Sequence, residues 1–197
     1  MTIARKLTRP VGGREFRKYY LLATEGSVTE PEYFDKFNRL NVTIKIQCIR
    51  RSHGRSAPRY VLEDMKRYLK DNAITENYEA WLIIDRDRWQ QEDILELHSW
   101  ANSRNEYNLS ISNPDFEYWI LLHYEDGTNC PGKVAINSKL EKHIPNYDKH
   151  FNNINFKEDM ISDAIRRGRQ RDTTPTDIFP HCPGSRVYLL VEALLKT

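Results

Sequence analysis

Trp81-Leu82-Ile83-Ile84-Asp85-Arg86-Asp87 is the stretch whose reading decides the fold. Its apolar residues run unbroken and then stop at two carboxylates. Such a run suits a strand buried on both faces, the habit of parallel sheets. Alternate side chains of a strand share a face, so Asp85 and Asp87 are expected on the same one. Acids at the end of a buried strand need a cation, a role as a base, or solvent. A second stretch has the same form: Tyr19-Tyr20-Leu21-Leu22-Ala23-Thr24, running into Glu25-Gly26. Together they predict that Glu25, Asp85 and Asp87 meet at one edge of one sheet.

Working outward, residues 1–15 read as a flexible basic arm, broken by Pro10 and Gly12-Gly13, and residues 16–197 as one domain. A strand from Lys18 to Thr24 is followed by a Gly turn and a helix. Thr29 is its expected N-cap, and Glu30-Pro31-Glu32 its first turn, where acids and Pro are favoured. Asn41 to Ile49 alternates apolar and polar residues, as an edge strand with one wetter face does. Helix is expected from Pro58 to Lys70, strand from Trp81 to Asp85, and helix from Asp93 to Asn105, with Ile94, Leu95, Leu97, His98 and Ala101 inward. A strand from Tyr107 to Ile111 leads through Ser112-Asn113-Pro114 to a helix from Asp115 to Tyr124. Strand and helix alternate four times, which predicts an α/β fold: a Rossmann-like central parallel sheet of about four strands with flanking helices. Beyond Glu125 come extra C-terminal helices, Lys133–His143 and Phe156–Gly168. An irregular stretch, Asp172–Pro183, and a terminal helix, Arg186–Leu195, then follow, the helix with Val187, Leu190, Val191, Leu194 and Leu195 facing the core.

Ligands of such sheets gather at the carboxyl ends of the strands. Glu25, Asp85, Asp87 and Asn113 all fall at that edge. Three carboxylates there suit Mg²⁺ or Mn²⁺, hard cations that prefer oxygen ligands. Such an ion can neutralise a phosphodiester and activate water. Against this stands the reading of Asp85 and Asp87 as an ordinary loop start paired with Arg86 and Arg88. Glu25 is a metal ligand or a general base. Glu30 is a further candidate for metal or substrate, although the helix dipole alone accounts for an acid there. Glu117 is either on an exposed helix face or functional, since it follows the sheet edge directly. Asn113-Pro114 is expected to cap the helix. His123, on a stripe with Trp119 and Ile120, is expected to be a hydrogen-bonded core histidine, with ligation as the other reading.

Net charge is +2, with thirty Lys and Arg against twenty-eight Asp and Glu, so the chain lacks the overall excess of a nucleic-acid coat protein. Distribution matters more. Arg50, Arg51, His53 and Arg55 form a loop near a strand's carboxyl end, a candidate phosphate clamp or a solvated loop. Three widely spaced cysteines exclude a CxxC-type zinc ribbon and a disulfide framework, which fits a reducing cytosol. The start of the sequence has no apolar h-region, and no run approaches the ~20 residues that span a bilayer. A cytoplasmic protein without membrane contact is the expectation.

Strand-Glu25-Gly26 followed by strand-Asp85-Arg86-Asp87 resembles the Toprim core of topoisomerases, primases and overcoming-lysogenization-defect nucleases. The fuller pattern is similar to RloB-like proteins, a bacterial family found beside restriction and phage-defence genes. Its blocks are Glu25-Gly26-Ser27-Val28-Thr29-Glu30-Pro31-Glu32-Tyr33-Phe34, then Ile84-Asp85-Arg86-Asp87, then the long run from Ser112 to Tyr124. The last is Ser112-Asn113-Pro114-Asp115-Phe116-Glu117-Tyr118-Trp119-Ile120-Leu121-Leu122-His123-Tyr124, and the apolar helix Val187-Tyr188-Leu189-Leu190-Val191-Glu192 also fits. The resemblance implies a Toprim-like domain acting on nucleic acid, DNA or RNA (tRNA included), with a divalent metal. Glu25 would be its acid/base or metal-linked glutamate, and Asp85 and Asp87 its metal-binding pair. It further implies a nuclease of phage defence by abortive infection, with an ATPase partner encoded nearby. A tyrosine-bearing cleavage domain and a primase zinc segment are missing from the pattern, which leaves a stand-alone nuclease. The rival is a non-catalytic nucleic-acid- or nucleotide-binding sensor subunit of a defence complex. No Walker loop is present, so ATP use falls to the partner.

Overall fold

In a computed structural model, the residues described are 18–40, 43–51, 57–74, 77–87, 89–151 and 154–196, without the side chains of residues 39 and 40. The basic arm, His53 and Arg55 lie outside them. In chain order the elements are β1 (Lys18–Thr24), α1 (Thr29–Leu40), β2 (Ile44–Ile49), α2 (Pro58–Asn72), β3 (Tyr78–Asp85) and α3 (Gln91–Ala101). They continue with β4 (Tyr107–Asn113), α4 (Phe116–Leu121), α5 (Lys133–His143), α6 (Glu158–Arg171), β5 (Gly184–Ser185) and α7 (Val187–Lys196). Among the described residues the strands form one sheet in the order β2-β1-β3-β4-β5. The first four are mutually parallel, and β5 runs antiparallel to β4. This is the expected Rossmann-like α/β sheet with one short strand added.

Period-two alternation explains how the sheet is covered. Tyr20 and Leu22 of β1, with Trp81 and Ile83 of β3, enter one core; Leu21 and Ala23, with Ala80, Leu82 and Ile84, enter the other. The first core is closed by α1 and α4 to α7, the second by α2 and α3. The middle strands are therefore apolar on both faces, which is why their sequence does not alternate. On α2, Val61, Leu62 and Met65 recur at helical spacing and are all buried. Each such side chain contributes about 1.5–3 kcal/mol on burial.

At the sheet's β2 margin, the amide of Asn38 does the work of a neighbouring strand. Its Oδ1 accepts the Ile46 N–H at 2.8 Å, and its Nδ2 donates to the Ile46 carbonyl at 3.2 Å. The irregular stretch after α6 is held by one buried arginine. Arg186 pairs through Nε with Asp172 Oδ2 at 3.1 Å and donates to the carbonyls of Thr174, Asp177 and Ile178.

Several expectations are corrected. Asn113 does not cap a helix: it ends β4, and its Nδ2 donates to the Pro180 carbonyl at 2.8 Å, while Asp115 takes the N-cap position. The helix from Asp115 is six residues long and buried all round rather than striped, because the sheet lies on one side and α5 to α7 on the other. Leu95 and Leu195 are 43% and 49% exposed, so they are not core residues. Finally, β3 stops at Asp85, and Asp87 has φ 41°, in a turn. Strand alternation therefore does not govern where Asp87 points. Among the described residues, no helix is long and apolar enough to cross a membrane.

Candidate functional site

The carboxyl ends of β1, β3 and β4 bring acids together, because each strand leaves the core at the same level of the parallel register. Glu25 follows β1. Its Oε2 accepts the backbone N–H of Asp85 at 3.1 Å, and its Oε1 accepts the indole N–H of Trp89 at 3.3 Å. Glu30, in the first turn of α1, is 3% exposed and turns its Oε1 back to the Gly26 N–H at 2.9 Å. A Cβ on Gly26 would fall 2.7 Å from the Glu30 carboxyl carbon, so glycine here makes room for the buried acid. Beyond β4, Asp115 and Glu117 are 5% and 6% exposed. Asp115 thus occupies, after β4, the place that Asp87 occupies after β3.

Glu25, Glu30, Asp85 and Asp115 resist ionisation. Burial, then the charges of Glu30, Glu25, Glu117 and Asp115, push Asp85 well above the usual carboxylate range. Burial, opposed by the Trp89 and Asp85 hydrogen bonds, brings Glu25 up to about 7, with Glu30 and Asp87 adding to it. Burial also raises Glu30, and Asp115 is pushed to about 6 by burial and then by Glu117. Like charges crowded in a half-dry site produce this pattern, and it marks functional sites more often than surfaces.

Two lysines approach from the C-terminal elements. Lys133 Nζ is 3.1 Å from Asp87 Oδ1 and 3.6 Å from Asp115 Oδ2, and Lys149 Nζ is 3.4 Å from Glu117 Oε1. Asp115 Oδ1 is buried with no hydrogen-bond partner. A cavity of about 260 Å³ opens among Gly26, Glu30, Asp85, Glu117, Lys149 and Arg51. A neighbouring one of about 450 Å³ shares Gly26, Ser27 and Arg51 with it and extends to Arg50.

The donor set fits a hard divalent cation: every candidate ligand is a carboxylate oxygen, the charges lack balance, and one oxygen has no partner. Among the described residues, however, no three such side chains stand in a ready metal-ligating group. Glu25 accepts N–H groups at both oxygens, Glu30 accepts one at Oε1, and Asp87 Oδ1 lies against Lys133.

Of the residues singled out from the sequence, Glu25, Glu30, Asp85, Asp87 and Glu117 gather here, with Arg50 and Arg51 at the rim. His123 does not. It is 2% exposed, its Nδ1 lies 3.1 Å from the Trp119 carbonyl, and its Nε2 lies 3.1 Å from the Tyr33 hydroxyl. A carbonyl only accepts, so Nδ1 carries the proton and Nε2 accepts from Tyr33. Burial drives its pKa down to about 3, so the ring is a neutral core group. Sequence reasoning missed Asp115, Trp89, Lys133 and Lys149 as members of the site. Asp115 had a signal, being an acid two residues past a strand end. The two lysines had none, since they sit among polar residues of no particular pattern. Cys48, Cys130 and Cys182 are all free thiols.

A family model described as RloB-like protein matches residues 20–194. No curated protein and no solved structure matches the chain.

Proposed function

The chain belongs to the RloB-like family, and from that premise we propose that it is a Mg²⁺- or Mn²⁺-dependent nuclease of Toprim type that hydrolyses phosphodiester bonds in DNA or RNA. One observation carries the reading: the mutually repelling carboxylates of buried Glu30 and Asp115 and half-buried Glu25 and Asp85 at the strand ends, beside a cavity rimmed by Arg51. A divalent cation bound there would offset the acids' charge and that of a phosphodiester. Asp85, Asp87, Asp115 and Glu117 are the residues that would hold it, with Glu30 behind them. Glu25, with a pKa near 7, suits the exchange of a proton with the attacking water or hydroxyl. Arg50 and Arg51 orient the phosphate backbone in the adjoining trough. Phage defence by abortive infection, beside an ATPase partner, is the setting that the family resemblance supplies.

The test is incubation of the purified protein with labelled DNA and RNA in Mg²⁺ or Mn²⁺, alongside Asp85→Ala. Cleavage by the wild type that falls at least about a hundredfold in the variant is expected. Equal cleavage by both would remove the site from the argument. A second reading is favoured by one specific feature, the engagement of both Glu25 oxygens by N–H donors. It is a sensor that binds nucleic acid without turnover, and metal-dependent binding without cleavage would select it.

A further inference from the structure

We infer that Lys133 and Lys149 are phosphate-contacting residues of this site, each parked on a carboxylate that a divalent cation would take over. The inference rests on the nuclease reading for its ligand, a nucleic-acid phosphodiester, DNA and RNA sharing that chemistry.

Asp115 and Glu117 differ sharply in exposure from the lysines beside them. The Asp115 and Glu117 side chains are each 7% exposed, whereas those of Lys133 and Lys149 are 41% and 68% exposed. In these two pairs the acid is fixed in the protein and the ammonium is at the end of a solvated stem, while Asp87, the nearer partner of Lys133 at 3.1 Å, is as solvated as the lysine. An ion pair with so exposed a partner is a weak hold. Lysine carries three rotatable donors on four methylenes, so it can exchange one anion for another without moving the backbone. Asp115, by contrast, is not satisfied by its lysine. Asp115 faces Lys133 with Oδ2 at 3.6 Å, beyond hydrogen-bond range, and leaves Oδ1 buried without a partner. Such an oxygen is costly unless another cation or donor reaches it.

Placement supplies the second half. Lys133 opens α5 directly after Gly132, and Lys149 lies between α5 and α6 with φ 72°. Both reach back to the strand-end acids from the part of the chain beyond α4. Lys149 borders the same cavity as Arg51, Asp85 and Glu30. A doubly charged cation competes for the carboxylates better than a singly charged ammonium does. Once displaced, the Lys149 ammonium stands beside the cavity and the Lys133 ammonium beside Asp87 and Asp115, so both face whatever anion the cation has drawn in. The lysines thus serve as counter-ions when the metal is absent and as phosphate contacts when it is bound.

The two roles predict effects of opposite sign, which a merely structural lysine would not give. The full chain and its Lys133→Met and Lys149→Met variants are titrated with Mn²⁺ alone in a calorimeter. They are then titrated, with Ca²⁺ present, into fluorescent DNA and RNA oligonucleotides. Each variant should bind Mn²⁺ several-fold more tightly, because a competitor is gone. Each should bind oligonucleotide about tenfold more weakly, with a shallower salt dependence, by about 0.7 in slope for a single strand. Lys133→Arg and Lys149→Arg should restore oligonucleotide affinity, since the charge is kept. Unchanged or weaker Mn²⁺ binding in both Met variants overturns the inference, as does unchanged oligonucleotide affinity. The nuclease reading fails separately: if the wild type binds oligonucleotide with metal but never cleaves it, catalysis is lost and the lysine contacts stand. If it cleaves and the Met variants bind oligonucleotide like wild type, the lysine contacts are lost and catalysis stands.

Discussion

The carboxylate of Glu25 accepts the backbone N–H of Asp85 at 3.1 Å, tying the acid that follows β1 to the last residue of β3 across sixty positions of sequence. A residue placed by a strand end and held by a neighbouring strand end has little freedom, which is what a proton-exchanging group requires. The same carboxylate is also held by the Trp89 indole.

That second bond sets a pH dependence. Burial raises Glu25 to about 7, and the Trp89 hydrogen bond works against the rise by favouring the charged form. Trp89→Phe removes the donor, so the Glu25 pKa climbs further. If Glu25 acts as the base, the rising limb of the pH–rate profile moves to higher pH in Trp89→Phe. A limb that stays put, or moves down, would take Glu25 out of that role.

The crowded acids lower the protein's stability as pH rises. Glu25 rises from 4.5 to about 7 and Asp115 from 3.8 to about 6, and Asp85 is also raised. A carboxyl whose folded pKa is raised contributes its stability below the unfolded pKa and loses it as pH climbs through the folded one. His123 works in the opposite sense, since its pKa is lowered to about 3, so its stability is lost as pH falls from 6.5. The difference between variant and wild type isolates the acids. Asp85→Asn should melt about 3–6 °C higher than wild type near pH 8 without metal, and the gap should shrink towards pH 5. Mg²⁺ should raise the wild type's melting temperature and leave the variant's nearly unmoved. Thermal melts across that range check both statements.

Gly26→Ala probes Glu30 without touching it. The new Cβ would lie 2.7 Å from the Glu30 carboxyl carbon, so the side chain must swing away and give up the Gly26 N–H. Mn²⁺ affinity should fall roughly tenfold, about 1.4 kcal/mol, while the far-ultraviolet circular dichroism is kept. Unaltered affinity would show that Glu30 contributes nothing to the metal's hold.

Arg186→Met tests the buried pair that anchors the stretch after α6. The Arg186 and Asp172 side chains are 9% and 1% exposed, and Tyr188 donates to the same carboxylate at 3.1 Å. Removing one partner strands the other charge in the interior, at a cost of about 3–5 kcal/mol. The melting temperature should drop by roughly 6–20 °C. A drop of only a degree or two would mean that Asp172 finds another partner or becomes protonated at little cost.

Strands and helices were legible where burial alone dictates residue type. Leu21 to Ala23 and Trp81 to Ile84 are apolar because both faces are covered, and no local signal competes. Glu25 and Asp85 were legible for the complementary reason: a charge directly after such a run can only mark where the strand leaves the core. The same logic missed the rest of the site where the chain turns. Asp87 is aimed by a left-handed φ rather than by the pleat. Asn113 resembles a helix cap in sequence, yet its amide is claimed by the Pro180 carbonyl 67 positions away. Lys133 and Lys149 reach the acids only because α5 and the segment after it fold back over α4, and nothing in their neighbours' identities records that.

The Asn38 amide, described above as occupying the margin of β2, has a consequence for the protein when its acids are unbalanced. An open edge strand is a template for another chain, and templating matters most when the fold is loosened. High pH, which ionises the strand-end acids, moves the protein towards that condition. Ile46, mid-strand, offers neither its N–H nor its carbonyl to a newcomer, because Asn38 already holds both, and the Gln47 amide covers the Cys48 carbonyl at 3.0 Å. Ionisation of the strand-end acids can therefore soften the centre of the sheet while Ile46 stays closed to a second molecule at its rim.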